Sequence, residues 1–312
     1  SKKKRSPATS IELSNGETID FVPWELEPSH KKLCEMVLET KKKKSKNENE
    51  RNEKENESEK KEERRAKTFS LRCRVYEARL SRGTTTLWHS HDRDTAYVVC
   101  GEDRETAEKK GCGEEEAPVA AVVCNETVVD GGRSLADLTL ETGQAFCFLA
   151  GGRPFVHRLT FPGDSLRKGA HIVGVEVSEE EEEGGDGEKR AEATTTTSTS
   201  PSSPSSPLPS CYSLVQESRI FDFYKLKLAA GGGTTGKHRF PPEGATAAVV
   251  VAVRSSEKAL CSSSSTPSSS AAWKSLSSHA GAFSVFESGE SEDEMELRNE
   301  GEDEFEAVVV VL

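Results

Sequence analysis

Short runs of alternating or continuous hydrophobic residues recur along the chain, separated by Gly, Pro and Asp. None of these runs extends into a long stretch of helical periodicity, and regularly spaced short strands with turn residues between them are typical of a sandwich or barrel. The chain is therefore predicted to be all-β. The predicted strands are RVYEARL, AYVVC, AFCFL, FVHRLTF and HIVGVEV in the first half and FYKLKL, AAVVVAV, GAFSVF, MELRN and EAVVVVL in the second.

The two halves of the chain resemble each other in sequence. The segment RVYEARLSRGTTTLWHSH aligns with FDFYKLKLAAGGGTTGKHRF, and a later alignment superposes the glycines of ETGQAFCFL and HAGAFSVF. A repeat of this length indicates that the chain contains two copies of one structural module. The aligned positions are His89 with His238, His91 with Phe240, Asp94 with Glu243, and His157 with Met295.

Several long tracts contain almost no hydrophobic residues, although 33% of the whole chain is hydrophobic and 31% is charged. Such tracts bury too little apolar surface to offset the entropy lost on ordering, so they are predicted to be disordered. The predicted organisation is a disordered basic start at 1–18, a first domain at 19–177 with an insert at 41–67, an acidic and Ser/Pro-rich linker at 178–210, and a second domain at 211–312 with an insert at 255–272.

Charge and hydropathy restrict the classes of partner. The formal net charge of −12 does not suit a protein that binds nucleic acid, because phosphate recognition needs an excess of Lys and Arg on one face. No apolar run of about 18 residues is present, so no membrane span is expected. A small-molecule ligand and a homo-oligomer remain compatible with the sequence. The sequence starts without a methionine, which is compatible with the removal of an upstream targeting peptide. The sequence therefore does not indicate the cellular compartment.

The motif around the first histidine pair resembles that of a known family. Gly83 precedes His89-x-His91, and the later segment GGRPFVHRLTFPGD contains a histidine shortly after a Pro/Gly turn. With the internal repeat, these features resemble the two-domain cupins (bicupins) of the RmlC-like jelly-roll superfamily, and WHSHDRDTAYVV is similar to plant and algal bicupins of unassigned activity. The resemblance implies two tandem cupin jelly-roll barrels. The family also places a carboxylate four or five residues after the second histidine, where this chain has Thr95 and Ala96.

Three histidines are the candidate metal ligands. His89 and His91 are two residues apart and therefore point to the same face of a strand, which in a jelly-roll barrel is the interior. The resemblance implies that His157 completes the site. Imidazole ligands suit Fe, Mn, Ni, Cu or Zn, whereas Mg²⁺ and Ca²⁺ prefer oxygen. The alternative is that His89 and His91 lie in a solvated turn and that His157 is a hydrogen-bonded core residue.

Other residues near the motifs are candidates for supporting roles. Trp88, Tyr97 and Arg153 are predicted to line a pocket, and Asp94 to lie behind the ligands or at the rim, because an odd step from His91 faces the other side of the sheet. The second copy retains only His238 and Glu243, so it is predicted to be a degenerate barrel. Ordinary capping or surface roles are expected for the histidines outside the motifs, which are His30, His171 and His279.

Two functions fit these observations. The first is a metal-dependent enzyme of the oxygenase or isomerase type that acts on a small molecule in the first barrel. The second is a non-catalytic bicupin that binds or senses a ligand, with its polar segments recruiting partners. A storage protein is disfavoured because such a protein has no need of the retained histidines. Specificity in a barrel depends on pocket shape, so the sequence names no substrate.

Overall fold

The structure is a computed structural model that describes all of the predicted strands. The predicted disorder of the inserts at 41–67 and 255–272 and of the linker at 178–210 concerns segments that lie largely outside the described residues, as do Arg153 and Glu243. The described residues are 9–40, 69–100, 120–150, 154–163, 169–181, 209–218, 220–242, 245–254, 259–263, 274–277, 279–287 and 294–312.

The described residues of the first domain form two facing β-sheets. One sheet has the strand order β1-β2-β5-β10-β7-β8 and the other β3-β4-β11-β6-β9, where a single 3-10 turn, Trp24–Leu26, separates β2 from β3. Neighbouring strands are antiparallel except β2 and β5. The strands are β1 Thr9–Glu12, β2 Thr18–Pro23, β3 His30–Thr40, β4 Phe69–Ser81, β5 His89–His91, β6 Asp94–Cys100, β7 Ala120–Val129, β8 Gly132–Glu141, β9 Ala145–Phe148, β10 Phe155–Thr160 and β11 Gly169–Glu181.

The described residues of the second domain repeat this arrangement with mostly shorter strands and without counterparts of β1 and β2. Its sheets have the orders β12-β13-β21-β16-β19 and β14-β20-β17-β18, with β15 also paired to β20. The strands are β12 Tyr212–Glu217, β13 Asp222–Leu228, β14 Gly233–Thr234, β15 His238–Arg239, β16 Ala247–Arg254, β17 Ala259–Ser263, β18 Lys274–Ser277, β19 Phe283–Glu287, β20 Glu294–Asn299 and β21 Phe305–Val311. The all-β prediction is confirmed. The described part of the chain has no helix with the length and apolar character needed to span a membrane.

Strand β17, Ala259–Ser263, lies inside the insert at 255–272 that was predicted to be disordered, and it pairs antiparallel with β18 and β20. The domain limits also differ in two places from those expected. Thr9–Glu12 falls within the start that was predicted to be disordered, but it forms β1 and pairs antiparallel with β2. Strand β11 continues to Glu181, past the expected end of the first domain at 177, because its last residues pair with the beginning of β4. In both places the partner strand satisfies the backbone of a segment whose side chains are mainly polar.

The continuous hydrophobic strands of the second half are buried on both faces. Every residue of β21 is buried, and so are the first seven residues of β16. Alternate side chains of these strands fill the interior of the second domain, and the remaining ones pack against the first domain. A strand buried on two faces needs no polar side, which explains the unbroken hydrophobic runs. The buried residues of this interface include Cys73, Val75, Val173 and Val175 of the first domain and Phe223, Val249, Val308 and Val310 of the second.

Two glycines that align in the repeat make matching contacts across this interface. Gly281 of the second domain lies against the ring of His171, whose Nε2 is 3.3 Å from Glu77 Oε2. A Cβ atom on Gly143 of the first domain would lie 3.6 Å from Lys225 Nζ, an atom that is itself 2.5 Å from a carboxylate oxygen of Glu306. Each domain therefore presents a glycine to a polar pair of the other domain, as expected for two copies of one module packed face to face.

Replacing Gly281 by alanine is expected to destabilise the protein by about 1–3 kcal/mol more than replacing Gly231 by alanine. Both glycines have positive φ, at 86° and 69°, so both variants incur backbone strain. The new methyl group at Gly281 would overlap the His171 ring, whereas nothing lies within 4 Å of the same position at Gly231. Thermal unfolding of the two variants measures the difference. Equal losses of stability would show that the interface does not restrict the side chain at position 281.

Candidate metal centre

The motif histidines lie in β5 and point into the interior of the first domain. His89 is 0% exposed and His91 is 1% exposed, while the intervening Ser90 is half-buried. The alternation of a strand thus places both imidazoles on the inner face, as the spacing predicted. Their ring centroids are 5.2 Å apart. The alternative in which both rings lie in a solvated turn is wrong.

His157 reaches the same interior from the neighbouring strand. Strand β10 runs antiparallel to β5, and His157 is directly opposite His89. The ring centroid of His157 is 4.4 Å from that of His89 and 5.2 Å from that of His91. The three histidines that the sequence analysis selected are therefore brought together by one pair of strands.

A fourth histidine, His30, joins them and was missed by the sequence analysis. It lies at the start of β3, and its ring centroid is 4.8 Å from that of His89 and 6.0 Å from that of His91. Among the described residues, the three whose candidate ligand atoms all lie within 4.8 Å of one another are His30, His89 and His91, a group that does not include His157. No motif marks His30 in the sequence. The capping or surface role expected for it is wrong, because the fold places its ring in the histidine cluster.

Hydrogen bonds at Nδ1 fix the orientation of these rings. His89 Nδ1 is 2.9 Å from the carbonyl oxygen of Leu87, and His157 Nδ1 is 2.9 Å from Asn125 Oδ1. Because both partners accept hydrogen bonds, Nδ1 carries the proton and Nε2 has the lone pair. In the described structure the buried Nε2 atoms of His89 and His157 have no hydrogen-bond partner. Buried polar atoms are rarely left in this state unless a ligand or ordered water completes them.

Burial keeps the four imidazoles neutral at physiological pH. It lowers the pKa of His30 to about 3, and the neighbouring His89 contributes to this shift. Burial also lowers the pKa of His89, and it lowers the pKa of His91 and His157 well below 6.5. The neutral ring is the form that binds a metal ion.

The second domain has the same strand register without the histidine cluster. His238 in β15 is directly opposite Met295 in β20, as His89 is opposite His157, and the position equivalent to His91 holds Phe240. Met295 and Phe240 are 1% and 4% exposed, so they fill with apolar atoms the space that imidazoles occupy in the first domain. Each domain thus consists of two facing sheets in which most neighbouring strands are antiparallel. The strand orders and the site positions of one domain correspond to those of the other. The chain has the two-domain cupin fold.

Solved structures with similar folds include two kinds of bicupin. Oxalate decarboxylase from Bacillus subtilis, described with Mn(II) centres, matches 78% of this chain and 73% of its own at 10% identity and a TM-score of 0.44. Vicilin from hazelnut, Corylus avellana, matches 79% of this chain and 80% of its own at 10% identity and a TM-score of 0.41. No family model matches the sequence, and no curated protein matches it. The strand order and register described above, and not these values, carry the fold assignment.

Aromatic and charged residues lie beside the histidines within the first cupin domain. Tyr76 is fully buried, its hydroxyl is 3.4 Å from His91 Nδ1, and its ring stacks on Trp24 with centroids 4.2 Å apart. Trp24 Nε1 donates to Glu176, which also forms a 2.6 Å ion pair with Arg74. These contacts connect the segment before β3 to β4 and β11, and they hold the wall of the site in place.

The buried carboxyl group of Glu176 lies next to the position where the cupin family has its carboxylate. In the pairing of β11 with β6, Glu176 is directly opposite Thr95. It is 0% exposed, and burial raises its pKa to about 7 although Arg74 acts in the opposite direction. The first cupin domain therefore contains an interior carboxyl group, but this group comes from a different strand and is bound to Trp24 and Arg74.

The residues predicted to lie around the ligands occupy different places in the structure. Tyr97 lies beside the site, with its ring edge-on to His91 at 6.2 Å, and burial raises its pKa to about 12. Asp94 accepts a hydrogen bond from the backbone of Ala150 at 2.8 Å, so it fixes the end of β9 behind the site. Trp88 does not line a pocket, because it alternates with His89 and lies on the outer face beneath the guanidinium of Arg158, 4.9 Å from its ring centroid.

Proposed function

We propose that the first cupin domain binds one divalent transition metal ion through His30, His89, His91 and His157. The observation that carries the proposal is the pair of buried, unpartnered Nε2 atoms of His89 and His157 within a cluster of four neutral imidazoles. Desolvating these atoms without a partner would cost about 1–3 kcal/mol each. Metal ligation removes that cost, since Nε2 is the nitrogen that the Nδ1 hydrogen bonds leave open.

The donor set indicates the kind of metal. The group of candidate ligands within 4.8 Å consists of nitrogen donors only among the described residues, which suits Fe, Mn, Ni, Cu or Zn better than Mg²⁺ or Ca²⁺. The four imidazoles would hold such an ion, and a small molecule would complete its coordination. A bound ion of this kind supplies Lewis acidity and, for a redox metal, activation of oxygen.

We infer that the metal serves chemistry on a small molecule, of the oxygenase or isomerase type. The interior residues of the first domain are suited to position such a ligand: Tyr76 and Tyr97 offer hydroxyl groups beside His91, and Glu176 offers a carboxyl group whose pKa is near neutral. A group with a pKa near the working pH is suited to exchange protons with a substrate. The second domain, with Phe240 and Met295 at the ligand positions, acts as a structural partner.

Elemental analysis of protein purified without a histidine tag is the direct test. The expected result is about one equivalent of a first-row transition metal per chain, lost on dialysis against a strong chelator and regained on addition of one metal in preference to others. Turnover that depends on the restored metal then tests the catalytic part of the proposal. A protein that neither contains nor takes up a transition metal would contradict the assignment of the site.

A further inference from the structure

The buried carboxylate of Glu27 contacts the residues that hydrogen-bond to the rings of two histidines. Glu27 is 3% exposed and follows the 3-10 turn, three residues before His30. Its two oxygens have different partners. Oε2 accepts a hydrogen bond from the backbone N–H of Leu87 at 2.8 Å, and Oε1 accepts hydrogen bonds from the backbone N–H and the hydroxyl of Ser29 at 3.1 and 3.0 Å.

The Oε2 branch leads to His89. The N–H of Leu87 binds Glu27, and the carbonyl group of the same residue accepts the hydrogen bond from His89 Nδ1 at 2.9 Å. Glu27 therefore fixes the position of residue 87, and residue 87 fixes the ring of His89. A carbonyl oxygen only accepts, so the proton of His89 is on Nδ1 and the lone pair is on Nε2.

The Oε1 branch leads to His30. The Ser29 hydroxyl has one proton, and a carboxylate has none to donate, so that proton is directed at Glu27 Oε1. The oxygen of Ser29, which is 3.1 Å from His30 Nδ1, must then accept a hydrogen bond from the ring. His30 consequently carries its proton on Nδ1 and leaves Nε2 open, in the same way as His89.

We propose that Glu27 is a positioning residue that sets the Nδ1–H tautomer of His30 and holds in place the Leu87 carbonyl group that orients His89. This inference deepens the proposed function, because it explains how two ligands on strands of different sheets present the same nitrogen to one ion. Groups that orient metal-ligating histidines in this way typically raise metal affinity by about 10- to 100-fold. A carboxylate with two separately used oxygens allows one side chain to orient both rings.

The second domain shows that the turn itself does not require a carboxylate. There His238 Nδ1 is 3.0 Å from the carbonyl oxygen of Gly236, which matches the contact of His89 with Leu87. The N–H of Gly236, however, donates to the hydroxyl of Thr234 at 3.1 Å, two residues away in the same turn. The domain without the histidine cluster thus satisfies this N–H locally, while the domain with the cluster uses a distant buried carboxylate that also reaches His30.

The Glu27→Gln variant tests the inference in the metal-free protein. The amide offers a single oxygen as acceptor, so it can accept from the N–H of Leu87 or from the N–H of Ser29, but not from both. When the amide nitrogen faces Ser29, the Ser29 hydroxyl accepts from the amide and donates to His30 Nδ1, which moves the proton of His30 to Nε2. When it faces Leu87, the Leu87 N–H loses its acceptor and the carbonyl group that orients His89 is displaced. Nitrogen-15 NMR is expected to show a change at one of the two rings, either the Nε2–H tautomer at His30 or a shifted Nδ1–H resonance at His89. The affinity for Co²⁺ or Zn²⁺ is expected to fall about 10- to 100-fold.

Ser29→Ala and Glu25→Gln provide a second variant and a matched control. Ser29→Ala removes the acceptor of His30 alone and is expected to weaken metal binding while leaving His89 unchanged, so it tests the inference even where Glu27→Gln fails to fold. Glu25, in the same segment, pairs with Arg74 and, among the described residues, with neither Leu87 nor Ser29, so Glu25→Gln is expected to leave both tautomers and the metal affinity unchanged.

The outcomes separate this inference from the proposed function. A wild-type protein in which His30 is protonated on Nε2, or a folded Glu27→Gln variant with unchanged tautomers and unchanged metal affinity, would overturn the role of Glu27. A wild-type protein with both histidines in the Nδ1–H form that binds no metal at all would support the positioning role and reject the metal centre.

Discussion

Replacing His89 by alanine is expected to abolish stoichiometric metal binding by the first cupin domain. His89 is central in the cluster, with ring centroids 4.8 Å from His30, 5.2 Å from His91 and 4.4 Å from His157. Its loss removes one donor and separates the remaining rings. We expect the affinity to fall by more than about 100-fold, since the loss of a residue that merely orients a ligand already costs up to that much. Elemental analysis and Co²⁺ titration measure the effect.

The matched control is His238→Ala in the second domain. His238 has the same place in its strand and the same contact with a carbonyl oxygen two residues earlier, but its neighbours are Phe240 and Met295. The metal content of this variant is expected to equal that of the wild type. Replacing His91 by alanine is expected to resemble replacing His89. If the His89 and His91 variants keep their metal and the His238 variant loses it, the metal site lies in the second domain and not in the first.

The metal-free protein is expected to lose stability steeply as the pH falls below 6.5. The pKa of a histidine in the unfolded chain is about 6.5, and burial lowers it to about 3 for His30 and well below 6.5 for His91 and His157. The unfolded chain therefore takes up protons that the folded protein does not. Each such histidine contributes stability that is fully present above pH 6.5 and decreases by about 1.4 kcal/mol per pH unit below it. For His30 this window extends down to about pH 3.

Urea unfolding of the metal-free protein between pH 7 and pH 4 measures this dependence. His30→Asn removes one titrating ring, so the slope of unfolding free energy against pH is expected to decrease by about one proton between pH 6 and pH 4. Adding the metal is expected to move the acid transition to lower pH, because an ion that binds only the folded state stabilises it. An unfolding free energy that stays constant from pH 7 to pH 4 would show that the histidines are not buried in solution.

The sequence by itself determined the all-β class, the repeat and the direction of the motif histidines. These features depend on local rules: side chains two residues apart in a strand share a face, so His89 and His91 point inward together. The repeat then placed Phe240 and Met295 at the matching positions of the second domain, and the strand register confirms the position of Met295. The hydrophobic runs of β16 and β21 indicated strands without revealing that the other domain covers their second face.

Only the tertiary structure brought His30, Glu27 and Glu176 to the site. His30 and Glu27 lie far before the motif in sequence, in a segment whose residues show no spacing typical of ligands, and the Leu87 N–H that Glu27 binds is 60 positions away. Glu176 comes opposite Thr95 through the pairing of β11 with β6. Alternation along a strand fixes which face a side chain occupies, whereas the neighbour on that face depends on the register between strands distant in sequence. Packing of the whole domain sets that register, so a local pattern determined which rings point inward but not what surrounds them.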